Sequence, residues 1–188
     1  MINRISLHLT DYILAKGRIE DSEYSIYRYG FALSIEAILV TSFCLILALF
    51  GGINMFIYGI TFFLTFIPLR RYGGGYHLAK FRNCFFLSTI SYGSILLGAS
   101  YLKANLYVVS FSYALLFFLY LIGPIFTSKD KFNNERKRIC QVRFHLTLLV
   151  IGIVMSLLYI EGYNGCVTVI SLTLVLNAVS LIFKAKHI

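Results

Sequence analysis

Charged side chains are scarce in this chain of 188 residues: they make up only 13%, whereas typical soluble domains contain about 25%. Hydrophobic residues make up 59%, and the mean hydropathy is +0.79. This composition argues against a soluble domain of the same length. We predict an integral membrane protein in which lipid covers most of the apolar surface and packing between helices provides specificity.

Other common features are also missing from the sequence. Residues 1–29 are too polar to contain the continuous apolar run of a secretory signal peptide. The cysteines lie far apart without a CxxC pair, so neither a zinc site nor a disulfide framework is indicated; they are Cys44, Cys84, Cys140 and Cys166. No internal repeat stands out. We expect one membrane domain over residues 1–188, with no metal and no cofactor.

Six apolar runs are present, each close to the roughly 20 residues that a membrane-spanning helix needs. They cover residues 30–50, 53–69, 84–102, 105–126, 144–161 and 165–183. The second run ends at Pro68 and the fourth has Pro124 near its end, two positions where a helix can kink or stop. The fold class we predict is all-α, a polytopic membrane protein with six transmembrane helices.

Residues 1–29 precede the first run and show a different pattern. Apolar residues recur there at helical spacing while charged residues occupy the other faces, which predicts an amphipathic helix at the membrane surface. The apolar positions are Ile2, Ile5, Leu9, Tyr12 and Ile13. Either a solvated helical hairpin before the first span or a docking segment for a substrate fits this pattern.

The basic residues indicate the orientation of the chain. Segments 1–29, 70–82, 127–143 and 184–188 contain every Lys and Arg except Lys103. By the positive-inside rule, both termini and both basic loops are cytoplasmic. Topology and anionic lipid therefore explain the net charge of +9 without a nucleic acid partner. The basic loop 127–143 either sets topology or also holds an acidic cytosolic peptide.

Residues 70–84, with the sequence RRYGGGYHLAKFRNC, interrupt the apolar pattern. Three consecutive glycines are unfavourable inside a helix, since each costs about 1 kcal/mol relative to alanine. We therefore predict a break between the second and third apolar runs. A cysteine and a histidine follow the break, which makes residues 70–84 the candidate catalytic loop.

Cys84 lies at the start of the third run, where a helix N-terminus and neighbouring cations favour the reactive thiolate. His77 is the candidate general base. On one straight helix the two residues would be about 10 Å apart along the axis, whereas a base must come within about 2.6–3.2 Å of the group it deprotonates. A working pair therefore requires a bent backbone, and the N–H groups of residues 73–75 could line an oxyanion hole.

Apart from Glu161, the last residue of the fifth run, Glu36 is the only acidic residue inside a predicted span. Acidic residues in a membrane usually face a partner or a wet cavity. Glu36 could orient His77, pair with Arg70 or Arg71, or extend to the interface.

Two other classes of membrane protein are alternatives to a cysteine-dependent enzyme. A lipid or phosphoryl transferase could use the glycines and arginines to hold a phosphate, but no Asp/Glu pair for a metal lies near the loop. A non-enzymatic membrane transporter or structural subunit is the other alternative. A transporter would be expected to carry polar groups at mid-span in several helices, and the sequence offers few.

The residues of this loop resemble the signature of the accessory gene regulator B (AgrB) family, membrane-embedded cysteine endopeptidases that process quorum-sensing pro-peptides in Gram-positive bacteria. The matching positions are Arg70, Arg71, Gly74, Gly75, His77 and, seven residues later, Cys84. Weaker similarities are Tyr29 with Gly30, Pro124 and residues 134–137. Acidic or amide residues that members often show just after the Tyr-Gly pair appear here only at Glu36, which leaves a third catalytic residue open.

The resemblance implies that Cys84 is the nucleophile, His77 its base, and Arg70, Arg71 and Gly75 supporting residues. It implies a substrate pro-peptide with an amphipathic N-terminus and an acidic tail, cleaved through a thioester and cyclised to a thiolactone or lactone. It also implies the plasma membrane of a Gram-positive bacterium and a site at the cytoplasmic face. The small residues Ser94 and Gly98 in the third run permit a close approach of helices, either within one chain or between two copies. A homodimer is expected from this pair and from the resemblance.

Overall fold

The computed structural model describes residues 2–74, 81–125 and 134–186, without the side chains at positions 33, 81–84, 134, 136 and 186. This part of the chain is all-helical and contains no strand. Its helices are α1 (Ile2–Ala15), α2 (Tyr24–Phe50), α3 (Ile53–Gly73), α4 (Phe81–Tyr101), α5 (Leu106–Ile122), α6 (Asn134–Ile160) and α7 (Asn164–Lys186), with a short 3-10 turn before α2. The predicted all-α class is confirmed.

Each of the six predicted apolar runs coincides with one of the helices α2–α7. Over the residues with described side chains, four of these helices, α2, α3, α6 and α7, are long and apolar enough to cross a membrane. The apolar parts of α4 and α5, Phe85–Tyr101 and Leu106–Ile122, are shorter. At 1.5 Å per residue, a 17-residue helix such as α5 falls a few ångströms short of a hydrocarbon core of about 30 Å. The fold is that expected of a multi-pass membrane protein, and six spans remain a prediction.

The chain divides into two compact units, Met1–Leu47 and Ala48–Ile188. In the first unit, α1 exposes Ile5, Leu9 and Tyr12 on one face, as its amphipathic pattern predicts. The hydroxyl of Tyr24, the first residue of α2, donates a 2.7 Å hydrogen bond to Asp11 Oδ1 of α1. This bond joins α1 to the start of α2, the first long apolar helix.

The second unit is organised around α7, which packs against α3, α4, α5 and α6. A central helix is apolar on all sides, and α7 accordingly buries Val167, Ile170, Leu174 and Leu181 almost completely. Small and polar residues let neighbouring helices approach it closely. The hydroxyls of Ser112 on α5 and Ser171 on α7 are 2.6 Å apart in the buried interior.

The five helices of the second unit alternate in direction. Tyr58 near the start of α3 touches Gly165 at the start of α7, whereas Arg70 near the end of α3 bonds to Ser180 near the end of α7, so these two helices are parallel. The start of α6 returns to the end of α3, where Phe144 meets Gly73. The end of α4 likewise returns to the start of α3, through a 3.5 Å contact between Ser100 Oγ and Met55 Sδ.

The alternation brings basic residues from distant parts of the sequence to one end of the second unit. Among the described side chains, this end carries Arg70, Arg71, Lys137, Arg138, Arg143 and Lys184, while Lys103 follows α4 at the opposite end. The distribution is the one that the positive-inside rule requires. That the basic end of the second unit faces the cytoplasm remains a prediction.

Two boundaries differ from the sequence-based expectation. Helix α3 continues through Pro68 and ends at Gly73. Proline is tolerated in apolar helices when neighbouring groups compensate for the hydrogen bond that it lacks. The side chains of Phe62, Phe63 and Leu69, on either side of Pro68 in sequence, are buried in the bundle. Helix α6 begins at Asn134, so the second half of the expected basic loop 127–143 is helical.

One close approach had been expected either within a chain or between two copies. A methyl group on Gly98 of α4 would lie 3.0 Å from Leu172 Cδ1 of α7 in the same chain. Gly98 therefore serves a contact between helices of one chain.

Candidate active site

Both ends of the expected catalytic loop 70–84 are helical, over residues 70–73 and 81–84. Arg70 and Arg71 lie in the last turns of α3, which ends at Gly73, and α4 begins at Phe81. Gly75 and His77 lie outside the described residues, which stop at residue 74 and resume at residue 81. The described site therefore consists of residues 70–74, termed below the α3 terminus, and the first turn of α4.

Gly74 follows the last residue of α3, and the break predicted from the three glycines is confirmed there. Its φ of +75° lies in the left-handed region, which costs a residue with a side chain about 1–2 kcal/mol. A methyl group at Gly74 would also lie 2.7 Å from Lys184 Nζ and 3.1 Å from the carbonyl oxygen of Ile125. The backbone angle therefore favours glycine at this position, and a larger residue would also have to displace the Lys184 ammonium group.

Gly73 is required for a different reason. Phe144 of α6 lies against its Cα, so that a methyl group at Gly73 would stand 2.5 Å from Phe144 Cε2. Phe144 is only 1% exposed and belongs to the main apolar core, together with Leu69 and Leu148. The glycine thus allows α3 and α6 to approach closely just before the chain leaves α3.

Two hydrogen bonds tie the α3 terminus directly to parts of the chain that are distant in sequence, and a third holds one of its partners. Arg70 Nη1 donates to Ser180 Oγ of α7 at 2.8 Å. The backbone N–H of Ile125, just after α5, donates to the carbonyl oxygen of Gly73 at 3.2 Å. Lys184 Nζ of α7 in turn donates to the carbonyl oxygen of Ile125 at 2.6 Å. The position of Gly73 and Gly74 is therefore set by α5, α6 and α7 together.

The paired arginines have different surroundings. Arg70 is half-buried and bonded to Ser180, whereas Arg71 is exposed. The guanidinium of Arg71 lies 6.0 Å from the centre of the Tyr72 ring, and that of Arg143 on α6 lies 5.8 Å from the same centre. These distances are at the limit of a cation–π interaction. Arg70 is therefore part of the packing, while Arg71 remains accessible to a ligand.

Cys84 is the fourth residue of α4. The first four backbone N–H groups of a helix lack partners within the helix and carry the positive end of its dipole. The expectation that Cys84 lies at a helix N-terminus is confirmed. Its side chain is not described, so its separation from His77 stays untested.

The remaining candidate, Glu36, lies in the middle part of α2 with a half-buried side chain. It belongs to the first unit, whereas the α3 terminus belongs to the second. Its role as an orienting residue is still a prediction.

The other cysteines and one histidine have ordinary packing environments. Cys44 and Cys166 are 0% and 5% exposed, as expected of cysteines inside apolar helices, and Cys140 is partly exposed. The ring of His145 packs 4.5 Å from that of Tyr120. None of these residues extends the candidate site.

Ser180 and Lys184 were not among the site residues expected from the sequence. They lie more than 95 residues after the glycines and carry no motif of their own. Their spacing of four residues places them on one face of α7, but nothing in the sequence shows which helix that face contacts. The signal available from sequence was only that Lys184 is basic and close to the predicted cytoplasmic end.

The sequence is similar to one protein family and to several of its relatives. The profile of the family described as Accessory gene regulator B matches residues 6–181. An AgrB-like protein of Listeria monocytogenes serotype 4a is 24% identical over 160 residues, covering 84% of this chain and 78% of the relative. Those of Listeria welshimeri and of L. monocytogenes serovar 1/2a are 24% and 25% identical, with the same coverage. No solved structure matches the chain significantly. Since the family profile covers nearly the whole sequence, the chain belongs to the accessory gene regulator B family.

Proposed function

We propose that this protein is a membrane-embedded cysteine endopeptidase that removes the acidic C-terminal tail of an autoinducing pro-peptide and promotes its cyclisation for quorum sensing. The observation that carries the proposal is the family match over residues 6–181, which includes a cysteine in the first turn of a helix just beyond a glycine break. Membership of this family supports a role in peptide processing.

In the first half of the reaction, Cys84 Sγ attacks the carbonyl carbon of the residue that precedes the acidic tail. His77 takes the thiol proton, and a tetrahedral intermediate forms with negative charge on the former carbonyl oxygen. The imidazolium then gives its proton to the departing amine of the tail. The peptide bond breaks, the tail leaves, and the substrate remains attached to Cys84 as a thioester.

In the second half, a cysteine or serine side chain within the attached peptide attacks the thioester carbonyl. His77 accepts the proton of that side chain and returns it to Cys84 Sγ as the thioester breaks. The products are a cyclic thiolactone or lactone and the free enzyme. When the attacking group is a thiol, one thioester replaces another, so ring closure needs no ATP. Water must be kept out while the acyl group waits.

Backbone N–H groups beside the cysteine supply the stabilisation that the oxyanion needs. The N-terminal turn of α4 provides unpaired N–H groups around Cys84. Gly74, with its left-handed backbone, and Gly75 after it are the candidates from the other side of the break. Removal of one such donor in a peptidase typically reduces turnover by about 10²–10³-fold.

The basic end of the second unit suits an acidic tail. We assign Arg71 to substrate binding because it is exposed, and Arg70 to support of the site because it is bonded to Ser180. Glu36 is proposed to orient His77. No nucleic acid is required to explain the charge.

The proposal places the protein in the plasma membrane of a Gram-positive bacterium, with six spans formed by α2–α7. Both termini, the loop 127–143 and the active site lie on the cytoplasmic side, and α1 lies on the lipid surface. A homodimer is included on the family resemblance alone, since Gly98 contacts α7 of its own chain.

Co-expression with a candidate pro-peptide in membranes tests this function. Wild type is expected to release the tail and to form an acyl-enzyme that hydroxylamine cleaves. Cys84→Ala and His77→Ala are expected to insert normally and to release none. Cys140→Ala is the matched control, since Cys140 is partly exposed on α6 and has no assigned role.

Two outcomes would contradict the proposal. Full processing by Cys84→Ala would exclude Cys84 as the nucleophile. Insertion of all variants without cleavage of the candidate pro-peptide by wild type would favour a non-enzymatic transporter or structural subunit instead.

A further inference from the structure

The last described residues before His77 are held by a chain of two hydrogen bonds that begins on α7. Lys184 Nζ donates to the carbonyl oxygen of Ile125 at 2.6 Å, and the N–H of the same residue donates to the carbonyl oxygen of Gly73 at 3.2 Å. The backbone N–H and carbonyl groups of Ile125 thus join the end of α7 to the end of α3. Lys184 is 59 residues from Ile125 in sequence, so only the fold creates this contact.

Lys184 also touches the terminus directly. Its Nζ occupies the space beside Gly74, 2.7 Å from where a methyl group would stand. One turn earlier on the same face of α7, Ser180 accepts the hydrogen bond from Arg70. Two residues of α7, four apart, therefore fix the beginning and the end of the α3 terminus.

We propose that Lys184 is a positioning residue of the candidate peptidase site, which holds Gly73 and Gly74 through the carbonyl group of Ile125. The inference rests on the proposed function and adds to it a residue outside the family motif. Lys184 acts on the backbone that leads into the catalytic segment, through its hydrogen bond to Ile125.

The charge of Lys184 suits this role. A hydrogen bond from an ammonium group to a carbonyl oxygen is roughly twice as strong as one between neutral groups. Lys184 is half-buried, so the contact is less exposed to competing water than a surface bond. A precise contact is needed, because a displacement of about 1 Å in a catalytic arrangement can reduce the rate about 10²-fold.

The test compares Lys184→Met, which keeps the length of the side chain but removes the donor, with Lys184→Arg, which keeps donors and charge. With the co-expressed pro-peptide, at a temperature where every variant is folded, Lys184→Met is expected to lower kcat at least about tenfold while KM changes little. Loss of the charged hydrogen bond to Ile125 also lowers the thermal transition, but this alone does not reduce kcat in the folded protein. Lys184→Arg is expected to restore part of kcat. Lys103→Met, at the opposite end of the unit, is the matched control and is expected to leave kcat unchanged.

A second measurement does not depend on peptidase activity. Hydrogen exchange of the Ile125 amide, which bonds to Gly73, is expected to be faster in Lys184→Met than in wild type and in Lys103→Met. If wild type fails to cleave, the proposed function is wrong, yet the exchange rates still decide whether Lys184 holds the α3 terminus.

Wild-type kcat in Lys184→Met, or unchanged exchange at Ile125, would overturn the inference. An equal loss of kcat and of thermal stability, without rescue by Lys184→Arg, would also overturn it by showing a general structural role. If Lys184→Met does not insert stably, Lys184→Gln decides by the same criteria, since its shorter amide side chain remains polar but does not reach as far.

Discussion

The ring of Phe144 lies directly against the Cα of Gly73, leaving only 2.5 Å between Phe144 Cε2 and the position of a methyl group at residue 73. These residues come from α6 and α3, and their contact lies where the chain leaves α3 for the catalytic segment. Since Phe144 is 1% exposed, its ring has little space into which it can move. The size of residue 73 thus sets the separation of two helices beside the candidate site.

Gly73→Ala is expected to destabilise the folded protein by about 1–3 kcal/mol, the usual cost of overpacking a core. Thermal unfolding in detergent measures the change. Gly93→Ala on α4 is the control, because a methyl group there meets no atom within 4 Å. The double variant with Phe144→Leu is expected to recover part of the loss, and equal effects at positions 73 and 93 would contradict the steric explanation.

Gly74→Ala is expected to lower stability and peptidase activity more than Gly123→Ala does. Both glycines have a positive φ, +75° and +64°, so both substitutions incur about 1–2 kcal/mol of backbone strain. Only residue 74 would also meet Lys184 and Ile125, since a methyl group at Gly123 has free space. The difference between the two variants in unfolding and cleavage assays measures the steric contribution at position 74. Equal losses of stability and activity in both variants would show that backbone strain alone explains the effect.

Ser112→Ala and Ser171→Ala are each expected to cost about 0.5–1.5 kcal/mol. Their hydroxyls are 2.6 Å apart where α5 meets α7, and each also bonds to a carbonyl oxygen of its own helix. A double-mutant cycle is expected to give a coupling of about 0.6 kcal/mol, the average for such pairs within membranes. Additive losses would indicate that the two hydroxyls do not support each other.

Alanine substitutions of Arg70 and Arg71 are expected to have different effects, one on stability and the other on substrate binding. Arg70→Ala removes a charged donor from Ser180, and hydrogen bonds of this kind contribute about 1.5–3 kcal/mol, so the thermal transition should fall. Arg71→Ala should leave that transition unchanged and raise KM for a pro-peptide with an acidic tail. Replacing the acidic residues of the tail by amides should remove the difference between Arg71→Ala and wild type. A raised KM that persists with the neutral tail would contradict the assignment of Arg71.

Much of the architecture could be predicted because membrane helices obey local rules. A hydrophobic run close to the length of a bilayer must form a helix, since backbone groups in lipid have no other partners. The six runs accordingly match α2–α7. The break at Gly74 followed from the cost of three glycines in a helix, although Pro68, expected as a possible end, lies inside α3.

The sequence by itself determined the all-helical fold, the clustering of basic residues in alternate connections, and the resemblance to the family, which was based on Cys84, His77 and the glycines before them. These properties depend on composition and on short-range spacing. Only the tertiary structure decided that Arg70 is bonded to α7 while Arg71 is exposed, and that Lys184 and Ile125 hold the end of α3. Such contacts join residues 50 or more positions apart, and an apolar helix whose faces are nearly equal in hydrophobicity does not show in its sequence which neighbour each face will meet.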